Sequence, residues 1–358
     1  MIYREAGQFK TSYGADQAML PIAQDRWAVG AAVAVMLIVV PSIANEYMLQ
    51  AVLIPFLILS LAAIGLNLLT GYAGQLSLGT AAFMAVGGYM AYKFTTAFPG
   101  LNLLVVFILS GVCAAGVGLV FGIPSLRIKG FYLAVATLAA QFFLNWTFNK
   151  VPWFYNYNSS GTITMPPREL FGVMAAGPEA TAETRYFIAL VVVIVLTVVA
   201  KNLVRGRVGR SWMAIRDMDI AAEIIGFRPY QTKLLAFAIS SFYCGVAGAM
   251  YLCLYLGSAE SEAYSIDLSF EVLFMVIIGG LGSLLGSFLG AAFIVLLPIF
   301  LTNAPQLAGF HMPIDVQKHI ELMVFGGLIV WFLIVEPRGL ARLWQIAKEK
   351  LRRWPFPY

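Results

Sequence analysis

Apolar stretches, most of them near the roughly 20 residues a helix needs to cross the hydrocarbon core, recur along the chain with only short polar intervals between them. The pattern predicts ten helices, at about 27–45, 48–70, 79–98, 101–123, 130–149, 186–204, 233–256, 268–281, 285–302 and 319–335. The eighth is short, and its boundary with the ninth is open. Two longer polar intervals stand out, 150–185 and 205–232.

Composition agrees. Hydrophobic residues make up 60% of the 358 positions and charged residues 11%, and the mean hydropathy is +0.83. A water-soluble domain carries roughly a quarter charged residues, so this chain could not cover its surface in water. Soluble globular classes are excluded, and the expected fold is an all-α polytopic membrane protein forming one compact permease domain over 27–336. Residues 1–26 form an N-terminal segment and 337–358 a basic tail. The first apolar run, Ala28 to Val40, follows too long and too weakly basic a region for a signal peptide, so an uncleaved first helix is expected.

Orientation follows from the basic residues. With the N-terminus inside, 18 of the 23 Lys and Arg fall on inner segments, seven of them from Lys201 to Lys233 and six from Arg338 to Arg353. The outer segments hold Lys93, Lys150, Arg168, Arg185 and Lys318. This places both termini in the cytoplasm, and an odd number of spans would break the pattern. The net charge of +5 therefore marks membrane orientation, and no nucleic-acid partner is expected.

No catalytic or metal-binding group is expected. Cys113, Cys244 and Cys253 lie within apolar runs, with neither metal nor disulfide spacing, and read as packing residues. His311 and His319, the only histidines, lie near the outer surface without catalytic partners by spacing. Glu46, Glu271, Glu321 and Lys93 sit at span ends. The absence of a midplane charge weakens proton coupling. Asn67, Thr70, Gln75, Ser77, Thr137 and Gln141 are neutral polar groups inside spans. They suit a pathway that holds its solute weakly, or simple interhelical hydrogen bonds.

Two glycine-rich stretches interrupt apolar segments. One includes Gly71, Gly74, Gln75, Ser77 and Gly79, the other Gly279, Gly280, Gly282 and Gly286. Both fall toward the cytoplasmic ends of a helix pair. Irregular backbone at membrane depth survives where it is buried in protein or lines a watery cavity, and paired interruptions point to a transport pathway. Close packing through small residues is the alternative. Outside, the 150–185 loop carries Trp153, Phe154, Tyr155, Tyr157, Pro166 and Pro167, and Glu260, Glu262, Asp267 and Glu271 form an acidic stretch. The aromatics read as an interfacial belt or as a platform for an external partner.

In the inner loop, Asp219 is a candidate N-cap, and Gly226 with Pro229 ends the turn. Ile220, Ile224 and Ile225 give this short helix an apolar face outside the membrane. That face suits docking in a partner's groove or lying on the inner leaflet.

The stretch Arg216-Asp217-Met218-Asp219-Ile220-Ala221-Ala222-Glu223-Ile224-Ile225-Gly226 resembles the coupling-helix segment of ABC importer permeases, most closely the second permease of branched-chain amino acid and urea uptake systems. Ala221, Ala222 and Gly226 match the Glu-Ala-Ala-x3-Gly pattern, with Ile220 in place of Glu. Residues Gly71 to Tyr89, Ile128 to Leu138 and Phe274 to Phe293 are similar to the same family, so the likeness covers about 50–340. Thr80 stands where many members have His, and Tyr157 to Ile163 replaces a more usual Thr-Gly-Gly segment. The resemblance implies a bacterial inner-membrane permease paired with a homologous second permease. Two cytoplasmic ATPase subunits would bind the ATP, and an extracytoplasmic binding protein would deliver solute. No Gly-x4-Gly-Lys-Ser/Thr phosphate loop occurs here. Asp219, Ile220, Ala221, Ala222, Glu223 and Gly226 would receive the ATPase stroke, and the membrane helices would swing about the glycine-rich segments. Branched-chain amino acids are the first expectation for solute, followed by urea, short amides, or aromatic and other small carboxylates. An ion-coupled transporter and a passive urea channel are the rivals from other classes.

Overall fold

The computed structural model describes residues 11–12, 23–126, 132–170, 172–177, 179–307, 314–335 and 339–353. Most of the N-terminal segment, Arg127, the start of the Ile128–Leu138 stretch through Phe131, His311 and Arg338 lie outside these residues.

The described chain is almost wholly helical. Helix α1 runs over Ala23–Ala34, a π-helical stretch Val35–Val39 and Val40–Ile43. Helix α2 comprises a π-helical Met48–Leu53, Ile54–Asn67 and a π-helical Leu68–Tyr72. Then come α3 (Thr80–Ala97), α4 (Leu103–Ser125), α5 (Tyr132–Lys150) and α6 (Ala182–Arg205). Two short helices follow, α7 (Arg207–Asp217) and α8 (Asp219–Ile224). The long α9 covers Pro229–Met250 and a π-helical Tyr251–Leu256, and α10 (Ile266–Gly279), α11 (Leu284–Leu307), α12 (Ile314–Val335) and α13 (Gly339–Arg353) complete the chain. Six helices among the described residues are long and apolar enough to cross a membrane: Asp25–Ile43, Met48–Tyr72, Leu103–Ser125, Ala182–Arg205, Pro229–Leu256 and Leu284–Leu301.

Proline explains two of the widened turns. Pro41 and Pro55 each sit just after a π-helical stretch. Proline lacks an N–H and clashes with the carbonyl four residues back, so the preceding turn opens. In α1 the Met36 carbonyl accepts a hydrogen bond from the Tyr186 hydroxyl of α6 (2.9 Å).

Helices α2 and α9 form the centre, with 83% and 78% of their spanning windows buried, whereas α1 lies at the edge and only part-buries Met36, Leu37 and Val40 against the core. The outer helices invert the soluble pattern. On α4, Val105, Ile108, Val112 and Ile123 are exposed at helical spacing, and so are Val191, Val195, Val198 and Val199 on α6. Such apolar stripes on the outside face lipid. Inside, small residues bring backbones together: a Cβ on Gly87 of α3 would overlap the Gly245 carbonyl of α9.

The segment between α5 and α6 is folded. Strand β1 (Ile163–Thr164) pairs antiparallel with β4 (Ser258–Ala259), and β2 (Arg168–Leu170) pairs with β3 (Val173–Ala176). Phe154 packs edge-on against Phe148 of α5, which stacks on Tyr89 of α3 at 4.3 Å.

Candidate functional site

Between α2 and α3 the chain leaves the helix for residues 73–79, and between α10 and α11 for 280–283. Each segment turns with glycines at positive φ: Gly74 (69°) in the first, Gly280 (118°) and Gly282 (76°) in the second. The two turns meet. The Asn67 side chain, fully buried near the end of α2, accepts from Gly282 N (2.8 Å). Its amide donates to the Ser283 carbonyl (2.8 Å) and to Ser287 Oγ (2.9 Å). A Cβ on Gly71 would overlap both Asn67 Oδ1 and Gly282 N. Gly71 is therefore glycine because the second turn occupies the space a side chain would need.

The second stretch also packs helix on helix. A Cβ on Gly286 of α11 would lie 2.6 Å from the Gly279 carbonyl of α10. Close approach through small residues, one of the two readings of these glycines, is thus what the geometry contains at Gly279 and Gly286.

Helix α3 begins in the protein interior, where its first amide groups have no helical acceptors. Neighbouring side chains supply them. Leu78 N donates to Thr137 Oγ1 (2.9 Å), Ala81 N to Ser269 Oγ (2.8 Å) and Ala82 N to Gln141 Oε1 (2.7 Å). Gly79 N lies 3.4 Å from Ser77 Oγ. Gln141 is completely buried and also donates from Nε2 to the Tyr264 carbonyl (2.9 Å). Tyr264 precedes α10 and its hydroxyl donates to the Gly248 carbonyl of α9 (3.1 Å). Burial pushes the Tyr264 hydroxyl pKa well up, so it remains a protonated donor. Gln141 thus clasps the starts of both α3 and α10. Gln75 donates to the Lys233 carbonyl (3.3 Å) at the start of α9. Gln75 Oε1 and Thr80 Oγ1 are buried with no hydrogen-bond partner.

On the loop between α6 and α9, α8 presents Met218, Ile220, Ile224 and Ile225 to solvent, each more than 70% exposed, while Ala222 on the opposite side is buried. Ala221 is half-buried and Glu223 exposed. The helix ends in a Schellman motif: Phe227 N donates to the Ala222 carbonyl (3.0 Å) and Gly226 N to the Glu223 carbonyl (3.0 Å). Gly226 has φ 104° with open space around it, so backbone conformation rather than crowding requires glycine there. The cap at the other end is corrected by one residue. Met218, extended at φ −152°, is the N-cap. Asp219 is the first helical residue, its carboxylate accepting from Ile220 N (2.9 Å).

Helix α7 carries α8 and is anchored to the membrane helices. Trp212 is fully buried and donates from Nε1 to the Thr232 carbonyl (3.1 Å). Arg216 donates from Nη1 to the Gly71 carbonyl (2.7 Å). Its stem lies against Gly74, where a Cβ would come within 2.8 Å of Arg216 Cγ. Asp217 Oδ1 accepts from Arg216 Nε (2.9 Å) and holds the guanidinium's orientation. Arg216 therefore joins the segment bearing α8 to the place where the two glycine-rich turns meet. Sequence reasoning did not assign this role, because nothing local marks an arginine whose acceptor lies 145 positions away.

The end of α3 and the 150–160 segment hold a cavity of about 440 Å³ lined by Met90, Lys93, Phe94, Phe98, Trp153 and Asn156. Lys93 Nζ stands 4.2 Å from the Trp153 ring centroid and donates to Asn156 Oδ1. Among the described residues, no group of three or more His, Cys, Asp or Glu is placed to hold a metal ion.

Comparison with known proteins agrees with the architecture. The high-affinity branched-chain amino acid transport system permease protein LivM of Escherichia coli (strain K12) is 28% identical over 303 residues, covering 77% of this chain and 66% of the relative. A probable branched-chain amino acid transport permease protein LivM of Methanocaldococcus jannaschii is 23% identical over 283 residues, covering 77% of this chain and 78% of that relative. The chain thus spans just under two thirds of the Escherichia coli relative. No solved structure matches it. The family described as the permease component of the branched-chain amino acid transport system matches residues 48–333, and with several apolar helices long enough to cross a bilayer, the chain is a multi-pass membrane protein that belongs to this family.

Proposed function

We propose that this chain is a permease subunit of an ATP-driven importer that moves branched-chain amino acids across the bacterial inner membrane. Ten helices span the bilayer, α1 to α6 and α9 to α12, with the turns at 73–79 and 280–283 interrupting two helix pairs. Both termini face the cytoplasm, the 205–232 loop is the cytoplasmic coupling loop and the 150–185 segment lies outside. The chain works with a second permease, two ATPase subunits that bind the ATP, and an external solute-binding protein, and it carries out no chemistry of its own.

One observation carries the mechanism: Arg216 bonded to Gly71. The exposed isoleucines of α8 suit a groove on an ATPase. Movement of α8 passes through α7 and Arg216 to Gly71, and through Asn67 and Gly282 to α11. The helices around the two turns then shift between inward and outward openings. Gln75 Oε1 and Thr80 Oγ1, buried without partners, are placed to meet solute or water when those turns open. A neutral interior suits a carrier whose selectivity rests on its delivery protein.

Gentle co-purification of the tagged chain from its native membrane tests this reading, with the associated chains identified by mass spectrometry. Recovery of ATPase subunits, a second permease and leucine uptake by the reconstituted assembly supports it. A chain that comes alone and moves solute in liposomes without ATP would refute it in favour of a channel or an ion-coupled carrier. Uptake of urea or a short amide in place of leucine would correct the solute alone.

A further inference from the structure

We propose that α13 is a docking helix for anionic lipid, seated on the second glycine-rich turn and laid along the bilayer surface. Gly339 (φ 68°) packs so tightly that a Cβ would stand 2.7 Å from Gly280 N and 2.8 Å from Gly280 Cα. Ala341 is buried beside it. Further along, Lys348 Nζ pairs with Asp25 Oδ1 at the start of α1 (3.2 Å). The helix is thus held at two points, the glycine turn and the first membrane helix.

Beyond the seat its apolar face is bare. Helical spacing sets Leu340, Leu343, Trp344 and Ala347 on one side, and Leu343 and Trp344 are 45% and 56% exposed. Lys348 and Lys350 flank that side, with Arg342 and Glu349 opposite. Residues 339–353 contain five Lys and Arg against one acidic residue. The helix begins four positions after Val335, the last residue of the apolar α12, so it cannot leave the bilayer surface. A basic amphipathic helix with an aromatic on its apolar face lies in the plane of an interface rich in anionic lipid. A protein groove would cover Leu343 and Trp344 but would not account for the excess of basic residues over 339–353. Docking does not depend on the solute or the ATPase reading; only its assignment to the inner leaflet rests on the proposed orientation.

The test uses the full chain with its co-purifying subunits, in vesicles of phosphatidylcholine alone or mixed with phosphatidylglycerol. Nitroxide labels are placed singly at Leu343→Cys and Glu349→Cys, with the three native cysteines replaced. With phosphatidylglycerol, the label at 343 becomes oxygen-accessible and shielded from aqueous nickel, whereas the label at 349 stays aqueous. High salt weakens the shift, and Lys350→Gln lowers the docking equilibrium about fivefold. Hydrogen exchange on the unlabelled chain provides a check free of substitutions: amides around 343–350 exchange more slowly in the mixed vesicles. Equal aqueous exposure of the 343 label in both vesicles, with unchanged exchange, overturns the proposal. So does exclusion of both oxygen and nickel from the 343 label in either vesicle, which would assign the face to a protein.

Discussion

Arg216 donates to the Gly71 carbonyl at 2.7 Å, tying the helix below the exposed α8 to the end of the most deeply buried membrane helix. Asp217 holds the guanidinium from the other side. Gly71 itself is pressed against Gly282 and Asn67, so α7 is bonded to the place where the end of α2 meets the second turn.

Replacing Asn67 with Leu should cost about 2 kcal/mol, because it orphans the half-buried Gly282 amide and the buried Ser287 hydroxyl. The purified assembly should melt several degrees lower. Ser287→Ala, which removes one of the three partners, should lower the melting temperature less. Equal melting of both variants and the parent would show that this contact is not structural.

Gly226→Ala should strain the end of α8, since a left-handed conformation costs an alanine about 1 kcal/mol. Gly226→Asn, which tolerates that conformation better, should be milder. Amide exchange over 219–227 should accelerate in the alanine variant, and fewer ATPase subunits should co-purify with it. Unchanged exchange would remove the Schellman end as the reason for this glycine.

Gln141→Leu should leave the Ala82 amide and Tyr264 carbonyl without partners, at a cost of about 2 kcal/mol or more. Ser269→Ala should cost less, because Gln141 still holds Ala82. Thermal unfolding of the two variants would check that order, and the reverse order would contradict the clasp.

Much of the fold is legible in the apolar pattern. Each of the ten expected segments overlaps a helix, including the short eighth, which is the 14-residue α10, and six helices among the described residues are long and apolar enough to cross a membrane. Helix starts are less legible: α6 begins at Ala182, α9 at Pro229 and α12 at Ile314, earlier than hydropathy places them, because Thr181 caps the first and Pro229 opens the second. The β1–β4 pairing joins two-residue strands far apart in sequence, and no local pattern announces it. The π-helical turn at Leu68–Tyr72 is equally silent. In the candidate site, the positions of Gly71, Gly226 and the α8 isoleucines follow from composition and spacing. Arg216, Asn67 and Gln141 do not, since their roles depend on partners brought together only by folding.

The central claim is that Arg216 transmits motion from α8 to the glycine-rich turns. Its direct test is leucine uptake and ATP hydrolysis measured together in proteoliposomes holding the assembled complex with Arg216→Ala. The account predicts full assembly and continued hydrolysis, with uptake per ATP at least tenfold lower, about 1.4 kcal/mol of lost coupling, and partial recovery in Arg216→Lys. Unchanged uptake per ATP in the alanine variant would contradict it.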